Sequence, residues 1–353
     1  MHPTLLLILL LISVRASFAT ASDTLPFFYK GLDYGSESQF NPLSVMANEA
    51  FDISQMENHS RSPSQMLDPD AFGRLNGSLL HPLISIDRMG RERFLTSEII
   101  PTSFRPSRAQ WIPNYQLHLV GSGMRNAALE EWWAAQGCEH PGIAAVATTY
   151  FAQYLNEVSE ISSKTSYRDE DPVADIYVFD LAGILLFQPV AVREFFSKTV
   201  ELSNWPLQAS WLVPESNVSN VGEYWAFKIP LPATERWKLF YYMGLGNIAG
   251  LTRSFTEGNA LSVAAGAYAK TIHSAGDGAN TATVKPKLGI FWDRHNSLMA
   301  SVFYNSQSTE RFLVNLYPGS LPTGPVPLGC WISQGRRGVH MGLTTRFGFG
   351  AGA

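Results

Sequence analysis

Charge is scarce in this chain, at 16% of 353 residues, where an average soluble domain carries roughly 25%. There is no basic excess either: 26 Lys plus Arg stand against 30 Asp plus Glu, a formal net charge of -4, which argues against a nucleic-acid partner. Cysteine is limited to Cys138 and Cys330, too few for a disulfide scaffold and without metal-site spacing. The pair suits either one disulfide in an oxidising compartment, tying helix to barrel, or two small apolar fillers. Long apolar runs are missing beyond the N-terminus. The most apolar later stretch, Val173 to Phe187, is interrupted by Asp175 and Asp180 and is too short for the about 20 residues of a spanning helix. HExxH, GxSxG and phosphate-loop patterns are absent, so no metal and no cofactor is expected.

In place of charge the chain has 28 Gly, 21 Pro, 21 Phe, 13 Tyr and 9 Trp. With 45% apolar residues it can bury a large core, which excludes disorder of the whole. Leu5 to Val14 form an apolar run, and Ala19-Thr20-Ala21 supplies the small-x-small pattern of a cleavage site, so residues 1–21 read as a signal peptide. No cysteine follows the expected cut, so a lipoprotein anchor is not expected.

Residues 22–110 are polar, rich in Ser, Asn, Pro and Met, and read as an irregular segment. Residues 111–124 read as a strand, because Tyr115-Gln-Leu-His-Leu-Val-Gly121 alternates for half its length before Gly-Ser-Gly. A helical insert is expected over 125–205: a short helix ending at Gly137, a longer amphipathic one opened by Pro141, a buried one after Asp171-Pro172, and another from Val190. From 222 to 349 the period becomes two. Trp237, Leu239 and Tyr241 alternate with Lys238 and Gly244; Leu261, Val263, Ala265, Ala267 and Ala269 alternate with Ser262 and Gly266; Val339, Met341 and Leu343 alternate with His340 and Gly342. About eight such strands are expected, with a turn at Asp293-Arg-His-Asn296.

A sandwich and a membrane barrel both alternate, and they differ in what faces outward. Here the second face collects Gly, Ala, Ser and Tyr rather than Lys and Glu. Trp237, Tyr241, Phe255, Trp292, Tyr304, Tyr317 and Trp331 lie where interfacial girdles would be. The fold class is therefore α+β, an antiparallel outer-membrane-type β-barrel of about 8–12 strands with an inserted helical segment. The expected location is the outer membrane, with a periplasmic or secreted protein as the alternative, and the expected partners are membrane lipid and an apolar or lipid ligand.

Several stretches together, Asn114-Tyr-Gln-Leu-His-Leu-Val-Gly-Ser-Gly-Met124, Glu130-Glu-Trp-Trp133, His140-Pro141, Tyr154-Leu-Asn-Glu-Val-Ser-Glu160, Asp171-Pro-Val-Ala-Asp175 and Phe179-Asp-Leu-Ala-Gly-Ile-Leu-Leu-Phe187, resemble uncharacterised bacterial outer-membrane β-barrel proteins. In these a helical segment precedes or interrupts a C-terminal barrel. The resemblance implies architecture and location, and carries no chemical role.

The helices concentrate a polar set, His140, Asn156, Glu157, Glu160, Asp175 and Asp180. Glu157 and Glu160 are three apart on one helix face, a spacing suited to holding a metal or pairing an acid with a base, whereas carboxylates in an apolar helix need partners. Hydrogen-bonded links that dock helices are the favoured account, and none of the set is assigned a catalytic role. His140 before Pro141 fits a helix N-cap better than a ligand. The functional expectation is a structural, narrow-pore or lipid-binding barrel; the alternative is an outer-membrane or periplasmic hydrolase with an acidic helical site.

Overall fold

The computed structural model describes residues 26–102, 111–163, 171–232, 234, 236–274, 280–321, 326–336 and 338–353; the expected signal peptide lies outside them. The chain is α+β, a helical part followed by one sheet of thirteen strands. These are β1 (Ser203–Asn204), β2 (Ser210–Leu212), β3 (Asn217–Ser219), β4 (Trp225–Pro230), β5 (Trp237–Met243), β6 (Gly246–Ser254) and β7 (Asn259–Ser274). After them come β8 (Asn280–Arg294), β9 (Ser297–Asn305), β10 (Glu310–Leu316), β11 (Gly329–Gly335), β12 (Gly338–Thr344) and β13 (Gly350–Gly352).

The strand order is β1-β4-β5-β6-β7-β8-β9-β10-β11-β12-β13-β2-β3, so β4 to β12 form an antiparallel meander and only β13 with β2 is parallel. The order is open, with β1 and β3 at its ends. Those two lie on opposite arms of a single hairpin. Between its paired segments Trp205 N–H donates to the Tyr224 carbonyl (2.8 Å) and Leu207 N–H to the Gly222 carbonyl (2.9 Å). The turn expected at Asp293-Arg-His-Asn296 joins β8 to β9, with His295 (φ 52°) and Asn296 (φ 67°) both left-handed, as a tight hairpin demands.

The alternation read from the sequence divides the sheet into two faces of unexpected character. One is buried and aromatic, with Trp205, Phe240, Tyr242, Phe291 and Phe303 packed together and Tyr224 stacked on Tyr242 at 4.7 Å. Among its polar members Lys228 Nζ pairs with Asp293 (2.6 Å). The other face is apolar and exposed. Ile229, Leu239, Leu251, Val263, Ile290, Val302, Val314, Ile332 and Met341 stand in direct register from β4 to β12. Eight of the nine are exposed, with Val263 at 53% and Met341 at 56%, and Val314 is half-buried. Trp237, Phe255 and Trp292 are also exposed at one edge of this belt, where Arg253 lies 5.8 Å from the Trp237 ring.

Several expectations are corrected. Residues 111–124 are helical, not a strand: Trp111–Ser122 is a π-helix that runs into the helix Gly123–Ala135. The alternation there arises because apolar residues face two cores, Tyr115 and Leu119 toward Phe179, Leu117 and Val120 toward Met124. Residues 22–110 are not irregular throughout, since helices cover Pro42–Ala50, Pro69–Leu80 and Pro82–Met89, each opened by proline at its first position. Strands begin at 203, ahead of 222, and the last long one ends at Thr344, after which β13 extends the sheet. Tyr317 and Trp331 belong to the buried core and not to a girdle. Cys138 and Cys330 are free. Cys138 follows the helix Gly123–Ala135, whereas Cys330 alternates with buried Trp331 on the opposite face of β11, beside exposed Ile332.

The helical part packs on the β4–β5 end of the sheet through Trp225 and Met243, which meet Phe28, Met124, Leu129 and Phe187. No single described helix is long and apolar enough to cross a membrane.

Candidate functional site

Two π-helical turns build the site. In an α-helix residues five apart point about 140° from each other, but the wider π-helix Asp175–Asp180 turns both of its terminal carboxylates toward one imidazole. His118, on the π-helix Trp111–Ser122, has Nδ1 at 3.3 Å from Asp180 Oδ1 and Nε2 at 3.8 Å from Asp175 Oδ2. The two helical runs approach closely where Gly123 meets Gly183. A Cβ on Gly183 would stand 2.5 Å from the Leu119 carbonyl oxygen, and one on Gly123 would stand 2.6 Å from the Gly183 carbonyl oxygen. Glycine at both positions thus sets the distance between His118 and its aspartates.

Continuing along the same helix, Ser122 and Arg125 follow His118 at four and seven residues and share its face. Arg125 is fully buried; it is paired with Glu49 on the helix Pro42–Ala50 and donates to Ser122 Oγ at 3.3 Å. Asn156 donates to the Glu49 carbonyl oxygen (2.8 Å), and Gln153 to Glu157 Oε1 (3.0 Å). Glu223, just before β4, accepts from Asn204 Nδ2 at 2.9 Å.

Burial by itself would lower His118, yet the charge of Asp175, the hydrogen bond and charge of Asp180, and the charge of Glu157 hold it well above its ordinary value. It is a cation among carboxylates. Burial also raises Asp175, where His118 opposes the shift and Asp171, Glu160 and Asp180 add to it. Asp52 is raised well above the usual carboxylate range by burial and by Glu49 and Glu223. Glu223 is pushed up to about 8 by burial, with Arg125 pulling down and Glu49 pushing up.

These groups border a cavity of about 340 Å³ between helices and sheet. Its polar lining includes Glu49, Asp52, Asp175 and Glu223; its apolar lining includes Leu117 from the helices and Leu245, Ala267, Ala269 and Val284 from the sheet side. Ala267 and Ala269 continue along β7 in the same alternation as Val263 and Ala265, so the apolar lining extends the exposed belt. No group of three or more His, Cys, Asp or Glu among the described residues has the arrangement to hold a metal.

Of the residues singled out in the sequence, Asn156, Glu160 and Asp175 line the cavity, Asp180 is fully buried on His118, and Glu157 is buried on Gln153. His140 stands apart, its side chain 68% exposed beside Glu139, with its carbonyl accepting from Ala144 N–H at the start of the helix Pro141–Ser163. Sequence reasoning missed His118, Arg125, Glu49, Asp52 and Glu223. The His118, Ser122, Arg125 spacing was the available signal, and reading 115–121 as a strand conceals it. No family model, curated protein or solved structure matches the chain.

Proposed function

We propose that this is an outer-membrane β-barrel protein, seated in the bilayer by its exposed sheet face and carrying beside it a cavity for an apolar or lipid ligand. The observation that carries the reading is the unbroken apolar row from Ile229 to Met341 across nine strands, since water-facing sheets collect charge where this one collects Leu, Ile and Val. On β7 the outward residues Leu261 to Ala269 span eight steps, about 27 Å before tilt at ~3.4 Å per residue, comparable to the ~25 Å apolar band of such barrels. Closure is favoured by the single hairpin that holds both β1 and β3. The aromatic inner face favours a filled lumen, and with it a structural or ligand-binding role over a wide passage.

The test is membrane fractionation with gel mobility of boiled and unboiled samples. An outer-membrane band whose mobility changes on heating is expected. A soluble band with one mobility would overturn the proposal.

A second reading, a hydrolase with an acidic helical site, is favoured by His118, which faces the cavity between Asp175 and Asp180. In a screen of lipid esters it requires turnover that His118→Gln abolishes; equal rates in both proteins would sink it.

A further inference from the structure

The cavity has a chemical bias that narrows its ligand. Asp175 and Glu223 are both more than nine-tenths buried and both line it, yet Asp175 Oδ1 and Glu223 Oε1 receive no hydrogen bond from any described residue. Asp52, on the same wall, has Gln55 as its hydrogen-bond donor. Arg125 is hydrogen-bonded to Glu49 and Ser122 and acts on Glu223 through its charge alone, and His118 is paired with Asp175 and Asp180. Buried carboxylate oxygens without donors are costly, and a ligand bringing N–H donors and positive charge relieves that cost. An ammonium favours the ionised form of Glu223, which without it holds its proton at neutral pH, whereas an anionic headgroup opposes that ionisation. The sheet side of the cavity contributes Leu245, Ala267, Ala269 and Val284, with Asn247 and Tyr268 among its polar members.

We infer that this cavity binds an amphiphile bearing a primary ammonium, the ammonium held by Asp175 and Glu223 and the hydrocarbon tail laid along the β7–β8 wall. The inference deepens the ligand-binding part of the proposed function; its headgroup contacts are independent of whether the sheet sits in a membrane. Three N–H donors on one ammonium match carboxylate acceptors without the fixed coordination a metal requires. The tail's path continues into the exposed belt, so a ligand could enter sideways from a lipid phase.

The test is calorimetric titration of the purified full chain, in matched detergent blanks, with n-octylamine, n-octanol and octanoate. Saturable octylamine binding is expected, at least tenfold tighter than octanol, with none for octanoate. The double variant Asp175→Asn, Glu223→Gln should lose octylamine binding at least tenfold. Ala269→Trp, which fills the apolar wall and leaves the carboxylates in place, should do the same and serves if the double variant does not fold. Lyso-phosphatidylethanolamine and lyso-phosphatidylglycerol distinguish the source: competition by the former alone assigns an aminolipid, and competition by neither assigns a free alkylamine. Equal affinity for octylamine and octanol, or undiminished binding in the folded variants, would overturn the inference. Octylamine binding by a protein with no heat-dependent mobility would remove the barrel and keep the amine site; heat-dependent mobility with a flat ligand series would do the reverse.

Discussion

Glu223 shows how one side chain can tie stability to pH. Burial, opposed by Arg125 and the Asn204 amide and reinforced by Glu49, lifts its folded-state value to about 8 from the ordinary 4.5. Between those values the folded protein holds a proton that the unfolded chain releases, so this group's contribution to stability is whole below pH 4.5 and is lost as pH rises through about 8. At about 1.4 kcal/mol per unit the loss is several kcal/mol at most. Glu223→Gln, which keeps the Asn204 hydrogen bond and cannot ionise, is expected to raise the melting temperature at pH 9 and to change it little at pH 5. Parallel melting curves at both pH values would show that Glu223 is not the titrating group. His118 runs in the same direction, although its protonated form is charged where that of Glu223 is neutral. Cationic when folded, it stabilises below its ordinary 6.5, and that stability fades as pH rises through its raised folded value.

At the scale of elements, the helix pair Gly123 and Gly183 decides whether the site forms. An added methyl at 183 has backbone as its nearest neighbour, so the two runs must part, at roughly 1–3 kcal/mol for an overpacked contact. Gly183→Ala should lower the melting temperature and, by drawing Asp180 away, bring the His118 imidazole titration down toward its ordinary value in NMR spectra. If neither moves, the contact is not the one holding the site. The same elements explain what was hidden in the sequence. Asp175 and Asp180 look misaligned at α-helical pitch and converge only through a π turn, which residue spacing does not announce. Tyr115-Gln-Leu-His-Leu resembles a strand because it is apolar toward two separate cores, so the helical face that joins His118 to Ser122 and Arg125 is split between an expected strand and an expected helix. Asn156 and Glu160 on an amphipathic helix and Asp175 on an apolar one, by contrast, were legible as a polar set, and they do meet at one cavity.

For the molecule as a whole, the alternation in β5, β7 and β12 was legible because a strand's two faces separate at every second residue. Which face is buried was not legible, for neither carries the dense charge of a water-facing side: the face of aromatics and small polar residues forms the core and the aliphatic one is exposed. How β1 and β3 come to share a hairpin could not be read either, because pairs of two and three residues leave no periodic trace. The exposed aliphatic face allows a decisive substitution at Val263, which pairs with Leu251 on one side and Ile290 on the other, at the middle of the belt. If hydrocarbon covers that face, Val263→Arg costs about 2–4 kcal/mol, and the heat-sensitive folded band should weaken sharply. If water covers it, the same change lies within about 0.5 kcal/mol of neutral and should improve solubility. Glu257→Lys at the β6–β7 turn, exposed in either setting, is the control and should leave the folded fraction unchanged. A selective loss at Val263 would therefore assign the belt to lipid, whereas equal folding of both variants would return the sheet to solvent and leave its exposed apolar surface in need of another partner.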